Sequence, residues 1–405
     1  MLLKPELLSP AGNMEKLMTA LRFGADAVYL AGKRFGMRAA ADNFSLEELA
    51  SAVKYSHKIG KRVYLTVNIM PHEGEMRALY AYLESLKAIS LDGLIVADPG
   101  VFMAARRILP EIPLHMSTQA ATVNSDTCKF WFQQGAQRIV LARELSLLEI
   151  EKMRCNIPDE LELEVFVHGS MCVSFSGRCM LSEYYTSRDA NRGLCTQPCR
   201  WEYRFYENKR PDDVLTCEIQ PEGSYIFGSK DLCMIEHIND LIDLGVHSLK
   251  IEGRMKSAYY AAVTANAYRI ALDLNGQLDA DEKAVLRREL ESVSHREYCS
   301  GYFYDDLKSI SNIASNSGYI GEKTYLCIVE SFDDSKSLYR CKQKNKFHSG
   351  QTYQYITPGK SGRNLRIVEM YDENLDPIEA CVHPQMTFYI RCDADLKPGD
   401  IIRSL

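Results

Sequence analysis

The chain has 405 residues, of which 46% are hydrophobic and 25% are charged, as is ordinary for soluble globular proteins long enough for more than one domain. Its formal net charge of −6 argues against a protein that coats nucleic acid non-specifically. No run of about 18 uncharged apolar residues occurs, so we expect no membrane span. The N-terminus reads directly into a strand without the features of a signal peptide, so we expect a cytoplasmic protein.

Eight short apolar runs in the first 255 residues predict parallel strands, since strands buried on both faces are nearly continuously apolar. The runs span residues 6–10, 27–31, 62–69, 93–98, 113–119, 138–143, 163–169 and 246–253. Helical patterns lie between them, and two begin with capping-box pairs, Ser45 with Glu48 and Ser146 with Glu149. This alternation predicts an α/β fold, a TIM-like (β/α)8 barrel over residues 1–276.

The regular alternation breaks at residues 170–245, a stretch too long for one helix and its loops. Insertions after the carboxyl end of a barrel strand build the active-site face, and this insertion carries six of the thirteen cysteines. We assign residues 277–322 to a helix and a linker. Over residues 323–405, short alternating strands and turn signals predict a small β-barrel domain.

Four cysteines of the insertion, Cys172, Cys179, Cys195 and Cys199, follow the spacing C-x6-C-x15-C-x3-C. Because cytoplasmic thiols stay reduced, a metal site is a better interpretation than disulfides. Four thiolates suit an iron–sulfur cluster or a structural zinc ion. The spacing favours iron–sulfur, because only the second pair forms the tight knuckle that zinc sites use. Buried small apolar side chains are the simpler alternative for any cysteine.

Longer motifs around these cysteines resemble those of the collagenase-like "unassigned peptidase" family. The block EVFVHGSMCVSFSGRCMLS (164–182) is similar to the family's signature. SPAGN (9–13), GADAVYLAG (24–32), STQA (117–120) and SLKIEGRMKS (248–257) also match its pattern. The resemblance covers the barrel and the C-terminal β domain.

The resemblance implies a function, because members of this family include oxygen-independent or prephenate-dependent hydroxylation factors for tRNA, ribosomal RNA and ubiquinone. The two-domain length and the blocks GLCTQPCRW and SHREYCSGYF resemble the tRNA type most. That type implies formation of 5-hydroxyuridine at the wobble position, with the tRNA anticodon loop and prephenate as substrates. A partner protein of the same family is a further expectation.

The resemblance also implies a ligand set for a 4Fe–4S cluster. Cys172, Cys179 and Cys195 carry over directly onto the family's cysteines. The fourth position varies among subfamilies, so we choose Cys199 and keep Cys233 as the reserve.

Polar side chains at the carboxyl ends of the predicted strands should face the active site. They are Asn68, Gln119, Arg143, His168, Glu252 and Arg254. From this set we predict His168, Glu252 and Arg254 as catalytic residues. The implied co-substrate is a dicarboxylate, so basic and amide groups near the strand ends are its expected binders. These binders are Arg38, Gln119, Arg143 and Lys250. The simpler alternative is that polar and ion-paired residues surround any solvated barrel mouth.

Aromatic and basic side chains interleave just after the fourth cysteine, where stacking on unpaired bases and contact with phosphates are possible. They are Arg200, Trp201, Tyr203, Arg204, Phe205 and Tyr206. The C-terminal domain adds a basic run of Lys342, Lys344, Lys346 and His348. A solvated face is the simpler interpretation of that run.

Two other function classes stay open beside RNA hydroxylation. The family's old name suggests a peptidase, but the sequence has no G-x-S-x-G elbow and no H-E-x-x-H helix. A metallopeptidase would need a site rich in histidine and carboxylate rather than four cysteines. The remaining alternatives are a hydroxylation factor for ribosomal RNA or a quinone precursor, and a non-catalytic partner that carries the cluster.

Overall fold

The computed structural model describes residues 4–38, 41–172, 174–201, 230–305, 320–321, 323–383 and 385–405. Eight parallel strands in these residues form a closed barrel. They are β1 (Glu6–Pro10), β2 (Ala27–Ala31), β3 (Arg62–Val67), β4 (Gly93–Val96), β5 (Leu114–Met116), β6 (Ala136–Val140), β7 (Glu162–Ser170) and, after an insertion strand β8 (Asp231–Cys233), β9 (Ser248–Ile251). Ser248 of β9 lies opposite Glu6 of β1 and Glu164 of β7, which closes the sheet. The predicted barrel is therefore confirmed.

Helices connect and surround the strands. The described residues include α1 (Met14–Arg22), α2 (Leu46–Lys58), α3 (Met76–Ser85), α4 (Pro99–Ile108), α5 (Ser125–Gln133), α6 (Leu147–Cys155), α7 (Leu181–Thr186), α8 (Ile238–Asp243), α9 (Ala258–Asp273) and α10 (Ala280–Glu291). Both predicted capping boxes form, at Ser45 and at Ser146, where the serine side chain accepts the backbone N–H three residues later. These caps fix where α2 and α6 begin.

Charged side chains fill part of the barrel interior beneath its mouth. Arg138 of β6 donates to Glu6 at 2.7 Å and to Glu164 at 3.1 Å, and all three side chains are buried. Lys250 of β9 donates to Glu164 at 2.7 Å. Buried charges are stable only when paired, so this network satisfies the charged groups inside the barrel and fixes the position of the Lys250 side chain.

Described residues of the insertion between β7 and β9 line part of the mouth. Strand β8 runs antiparallel to the far end of β7, with Cys233 opposite His168 and Asp231 opposite Ser170. A two-stranded contact with β10 (Tyr298–Cys299) extends the sheet. The buried guanidinium of Arg296 binds Asp231 at 2.7 Å, which fixes this edge. Strand β7 therefore continues beyond the barrel wall and carries its last residues into the insertion.

The C-terminal part of the chain is a second barrel of six antiparallel strands. Its strands are β11 (Tyr325–Asp333), β12 (Leu338–Gln343), β14 (Thr352–Thr357), β15 (Lys360–Tyr371), β17 (Thr387–Cys392) and β18 (Ile401–Arg403), with β13 (Phe347–His348) and β16 (Ala380–Cys381) as a separate pair. This confirms the small β-barrel predicted from the turn-rich sequence.

Buried polar contacts attach the second barrel to α9 and α10. Arg403 donates to Glu289 at 2.7 Å and to the Tyr259 hydroxyl at 3.2 Å. Asn266 of α9 accepts from the Gly359 N–H at 2.8 Å and donates to the Lys360 carbonyl at 2.8 Å. The two barrels are thus joined by specific hydrogen bonds as well as by apolar packing. In the described part of the chain, no helix combines the length and apolarity needed to cross a bilayer.

Candidate active site

A cavity of about 190 Å3 opens where the carboxyl ends of the barrel strands meet the cysteine-containing insertion. Its lining brings together residues from many distant segments of the chain. Among the predicted site residues, the lining includes Arg38, Asn68, Gln119, Arg143, Cys172, Cys179, Cys195, Cys199, Lys250, Glu252 and Arg254. Among the described residues, four cations and one carboxylate, that of Glu252, line the cavity, so it favours an anionic ligand.

All four cysteines of the C-x6-C-x15-C-x3-C pattern face this cavity. Two of their sulfur atoms already accept backbone hydrogen bonds, Cys179 from the Leu181 N–H and Cys195 from the Gln197 N–H, each at 3.4 Å. Such N–H···S contacts stabilise thiolates and tune clusters bound to them. The donor set thus fits an iron–sulfur cluster in number and kind.

The four cysteine side chains lie too far apart in this structure to bind one metal ion together. Among the described residues, no three side chains of His, Cys, Asp or Glu lie close enough together to hold a metal ion. Cys172, Cys179, Cys195 and Cys199 sit on loops and single-turn helices rather than inside long elements. Ligation by all four would therefore require these loop segments to draw together over the cavity.

Specific contacts fold the cysteine segment over the barrel mouth. Asn191 accepts from the Cys179 N–H at 3.3 Å and donates to the Cys179 carbonyl at 3.2 Å. Gly193 has φ +85°, and a Cβ there would lie 3.0 Å from the Arg38 backbone nitrogen. This close approach, which glycine permits, seats the loop before Cys195 against the loop after β2.

The reserve ligand Cys233 lies elsewhere. It is buried opposite His168 on β8, and the Tyr268 hydroxyl is 4.0 Å from its sulfur. Burial raises the pKa of the Cys233 thiol, which disfavours the thiolate that a metal needs. Geometry therefore favours Cys199 over Cys233 as the fourth cysteine of the cavity.

Arg254 is the most unusual charged residue of the cavity. Its side chain is buried, and only Nη1 has a described partner, the Thr66 hydroxyl at 3.0 Å. Among the described residues, Nε and Nη2 have no hydrogen-bond partner. Burial lowers the pKa of Arg254 to about 10, so it remains charged at neutral pH. Nε and Nη2 together form the edge of a guanidinium that binds a carboxylate in bidentate fashion.

Two other charged residues of the cavity, Glu252 and Lys250, already have hydrogen-bond partners. Glu252 accepts from the Tyr29 hydroxyl at 3.1 Å, and burial, reinforced by the Glu252 carboxylate, raises the pKa of Tyr29 well above its usual value. Lys250 is already paired with Glu164. Arg254, whose Nε and Nη2 have no described partner, is thus the cavity cation best placed to bind an added anion.

Amide and guanidinium groups also line the cavity. Asn68 donates to the Gln119 side-chain oxygen at 2.7 Å, and its own oxygen accepts the Met37 N–H at 3.1 Å. Arg143 donates to the Ser170 carbonyl at 3.0 Å and lies over the Phe166 ring. These contacts orient the groups that we predicted as ligand binders.

His168 does not line the cavity. It is buried behind β7, where Tyr268 and Tyr298 hydroxyls lie 3.4 Å from its two ring nitrogens. Burial lowers the pKa of His168 to about 3, so the ring is neutral at physiological pH. These contacts are those of a packed structural residue, and the predicted catalytic role has no support from its position.

The predicted RNA-contacting residues are only partly placed. Trp201 is exposed at the end of the described insertion, whereas Tyr203, Arg204, Phe205 and Tyr206 lie outside the described residues, as does Cys217. In the second barrel, Lys344 pairs with Glu15 of α1 rather than facing solvent alone.

Sequence reasoning missed several residues that the structure places at or beside the cavity. Tyr29 and Thr66 occupy inward positions on β2 and β3, and their polar atoms within apolar runs were the available signal. Arg178, whose Nε donates to the Gln119 carbonyl at 2.9 Å, was signalled only by its place beside Cys179. Tyr184 and Tyr185 stand on α7, next to the cysteine loop.

Comparison with known proteins assigns the family. The family model described as Peptidase family U32 matches residues 12–312, and that of the Peptidase family U32 C-terminal domain matches residues 322–403. The two matches together span both barrels.

Individual relatives extend over most of the chain. The tRNA hydroxylation protein P1 of Bacillus subtilis is 35% identical, covering 99% of this chain and 94% of the relative. The tRNA hydroxylation protein P of Escherichia coli is 37% identical, covering 88% and 86%. A protein of Porphyromonas gingivalis named collagenase is 31% identical, covering 79% and 78%. By its two family domains and these relatives, the chain belongs to peptidase family U32.

Proposed function

We propose that this protein is a tRNA hydroxylation factor that forms 5-hydroxyuridine at the wobble position. The observation that carries the proposal is a single cavity lined by four cysteines and four cations at the mouth of the barrel. The names of the relatives from Bacillus subtilis and Escherichia coli support tRNA as the substrate, since both relatives match most of this chain.

In this proposal Cys172, Cys179, Cys195 and Cys199 hold a 4Fe–4S cluster, consistent with their shared cavity and the N–H···S contacts at two of them. A bound cluster would supply electron transfer or Lewis-acid activation next to the substrate. The chain's own contribution is to exclude bulk water, to hold the thiolates and to orient the ligands on the barrel side of the cavity.

Arg254 is the proposed anchor for a carboxylate of prephenate. Its unpartnered Nε and Nη2 form a buried bidentate donor edge, and a carboxylate would satisfy both atoms. Arg38 and Arg143 line the same cavity and are the candidate partners of a second carboxylate. The Tyr29 hydroxyl already donates to Glu252 and to the Ile251 carbonyl, so in this proposal it orients Glu252 rather than the ligand.

The target uridine must leave its stack to reach this cavity. The cavity volume of about 190 Å3 is below the roughly 300–1,000 Å3 of pockets that enclose drug-sized ligands. A base of an open anticodon loop is already unpaired, so the energetic cost of extruding it is low. The cavity is thus too small to admit an RNA helix.

Peptidase activity is the second candidate, favoured by the family name and the relative named collagenase. A hydrolytic site needs a nucleophile or metal-bound water beside a base. The described lining of the cavity contains no histidine, and His168 is packed behind the wall. Cleavage of collagen or casein by purified protein, lost in His168→Ala, would revive this candidate.

The proposal is tested by nucleoside mass spectrometry of tRNA from a deletion strain. Wild-type protein should restore 5-hydroxyuridine derivatives, and Cys179→Ala should not. Cys155→Ala, which changes an exposed cysteine on α6, is the matched control and should restore them fully. Unchanged 5-hydroxyuridine in the deletion strain would sink the proposed function. Iron and sulfide analysis after anaerobic purification distinguishes an iron–sulfur cluster from zinc.

A further inference from the structure

Three aromatic side chains form an exposed group beside the cavity mouth, here called the aromatic rim: Tyr184, Tyr185 and Trp201. Tyr184 is 82% exposed, Tyr185 46% and Trp201 39%. Their rings contact in series, with centroids 5.0 Å apart for Tyr184 and Tyr185 and 5.8 Å apart for Tyr185 and Trp201. We propose that the aromatic rim is a stacking platform for an unpaired RNA base adjacent to the base that enters the cavity.

Helix α7, which carries the two tyrosines, buries a polar side chain and exposes aromatic ones, the reverse of an ordinary surface helix. Its buried side chain is Ser182, whose hydroxyl lies 3.0 Å from that of Thr196, and the Thr186 hydroxyl lies 3.2 Å from the same Thr196. Hydroxyls thus attach α7 to the cysteine loop while tyrosines face outward. Burial of apolar surface on folding does not account for this orientation, because apolar side chains normally occupy the inner face.

The position of the aromatic rim ties it to the cavity. Helix α7 begins two residues after Cys179, and Trp201 follows Cys199 by two residues, while both cysteines line the cavity. The cavity is too small for an RNA helix, so all of an RNA substrate except an extruded base must lie on the surrounding surface. An aromatic face at that edge would receive a flanking base as its neighbour turns inward.

Charge favours RNA over a protein as the occupant. Over residues 175–201 the sequence has four arginines, at 178, 188, 192 and 200, against Glu183 and Asp189. Arg178 is engaged with the Gln119 carbonyl and Arg192 with Glu75. Arg188 is exposed two residues after the end of α7. An exposed arginine near exposed aromatic rings can bind a phosphate while the rings stack on a base. A stable protein interface would need a larger surface of complementary shape.

The inference rests on the proposed function, because it assigns the surface through which that substrate would dock. Its test is binding of the full-length protein to a short RNA hairpin with an open loop, compared with a blunt RNA duplex, at fixed salt. The double variant Tyr184→Ala/Trp201→Ala should bind the hairpin at least about tenfold more weakly. Tyr184→Phe, which keeps the ring, should bind like wild type, and so should Phe130→Ala, an exposed aromatic on α5.

Hydroxylation kinetics provide the second readout. The double variant should raise KM for tRNA while leaving the iron content of the protein unchanged, because the cysteines are intact. Wild-type affinity of the double variant for the hairpin would overturn the inference, and so would its selective loss of binding to a protein partner. Failure of the proposed function is seen separately, as unaltered tRNA nucleosides in the deletion strain.

Discussion

At the scale of single residues, Arg254 is a buried cation that the described fold does not satisfy. Most buried charges in this barrel are paired, as Arg138 is with Glu6 and Glu164. Two nitrogen atoms of Arg254 lack a described partner, and an unsatisfied buried polar group costs about 1–3 kcal/mol or more for a charged group. A residue kept at such a cost is better explained by a ligand than by stability.

Replacing Arg254 with methionine should therefore separate stability from binding. We expect Arg254→Met to unfold in urea at the same or a higher midpoint than wild type, because an unpaired buried charge is removed. Prephenate binding, measured by calorimetry, should become undetectable. Arg254→Lys should bind weakly, since an ammonium cannot form the bidentate contact.

Arg296→Met is the matched control for that experiment. Arg296 is equally buried but is fully engaged with Asp231, at 2.7 and 2.9 Å. Its loss strands a buried carboxylate and should destabilise the protein by about 3–5 kcal/mol. If Arg254→Met destabilises as strongly as Arg296→Met, or binds prephenate normally, Arg254 is a structural residue.

At the scale of elements, the barrel was predictable because its strands carry a strong local signal. Each of the eight runs is nearly continuously apolar, and each overlaps an observed strand. The strand-end rule also collected five non-cysteine cavity residues from distant segments, including Arg143, Glu252 and Arg254. It succeeded because parallel strands in a barrel all end at one face.

The same rule misplaced one side chain for a physical reason. It assumes that a strand stops at the barrel edge, but β7 runs on to Ser170 and is covered by β8. His168 is thereby enclosed by tyrosines from α9 and β10 instead of facing the mouth. Antiparallel pairing across an insertion depends on contacts distant in sequence, which periodicity does not reveal.

The cysteine loop offers an element-scale prediction through Gly193. Gly193→Ala places a methyl group 3.0 Å from the Arg38 nitrogen and 3.2 Å from the Gly36 carbonyl, so the loop before Cys195 or the backbone it contacts must shift. We expect the anaerobically purified variant to lose most of its iron and sulfide, because Cys195 follows this contact. The measurement is metal and sulfide content per chain.

Gly350→Ala provides the control for backbone strain. Gly350 also has a left-handed φ, +72°, but a Cβ there meets no atom within 4 Å. Both variants should lose about 1–2 kcal/mol from the left-handed conformation alone. Equal iron content in the two variants would show that the Gly193 contact does not position the cysteines.

At the scale of the whole molecule, the second barrel is held to the first by buried polar contacts centred on Arg403. The side chain is 1% exposed, and its nitrogen atoms are divided between Glu289, Tyr259, Ser292 and Gln354. Turn chemistry predicted this barrel as a separate unit, but an interface of this kind depends on surfaces that only the folded barrels present. The two units are therefore expected to unfold together.

Arg403→Met should uncouple them. Loss of the guanidinium leaves Glu289 without its 2.7 Å partner, at an expected cost of about 3–5 kcal/mol. Both tryptophans, Trp131 and Trp201, belong to the first barrel and its insertion, so their fluorescence reports that part alone, whereas circular dichroism reports both barrels. In wild type the two urea transitions should coincide, and in Arg403→Met they should separate.

Arg391→Met, which removes an exposed pair with Glu369, should shift stability by no more than about 1 kcal/mol and keep the transitions together. Coincident transitions in Arg403→Met would mean that apolar packing, not this arginine, couples the barrels.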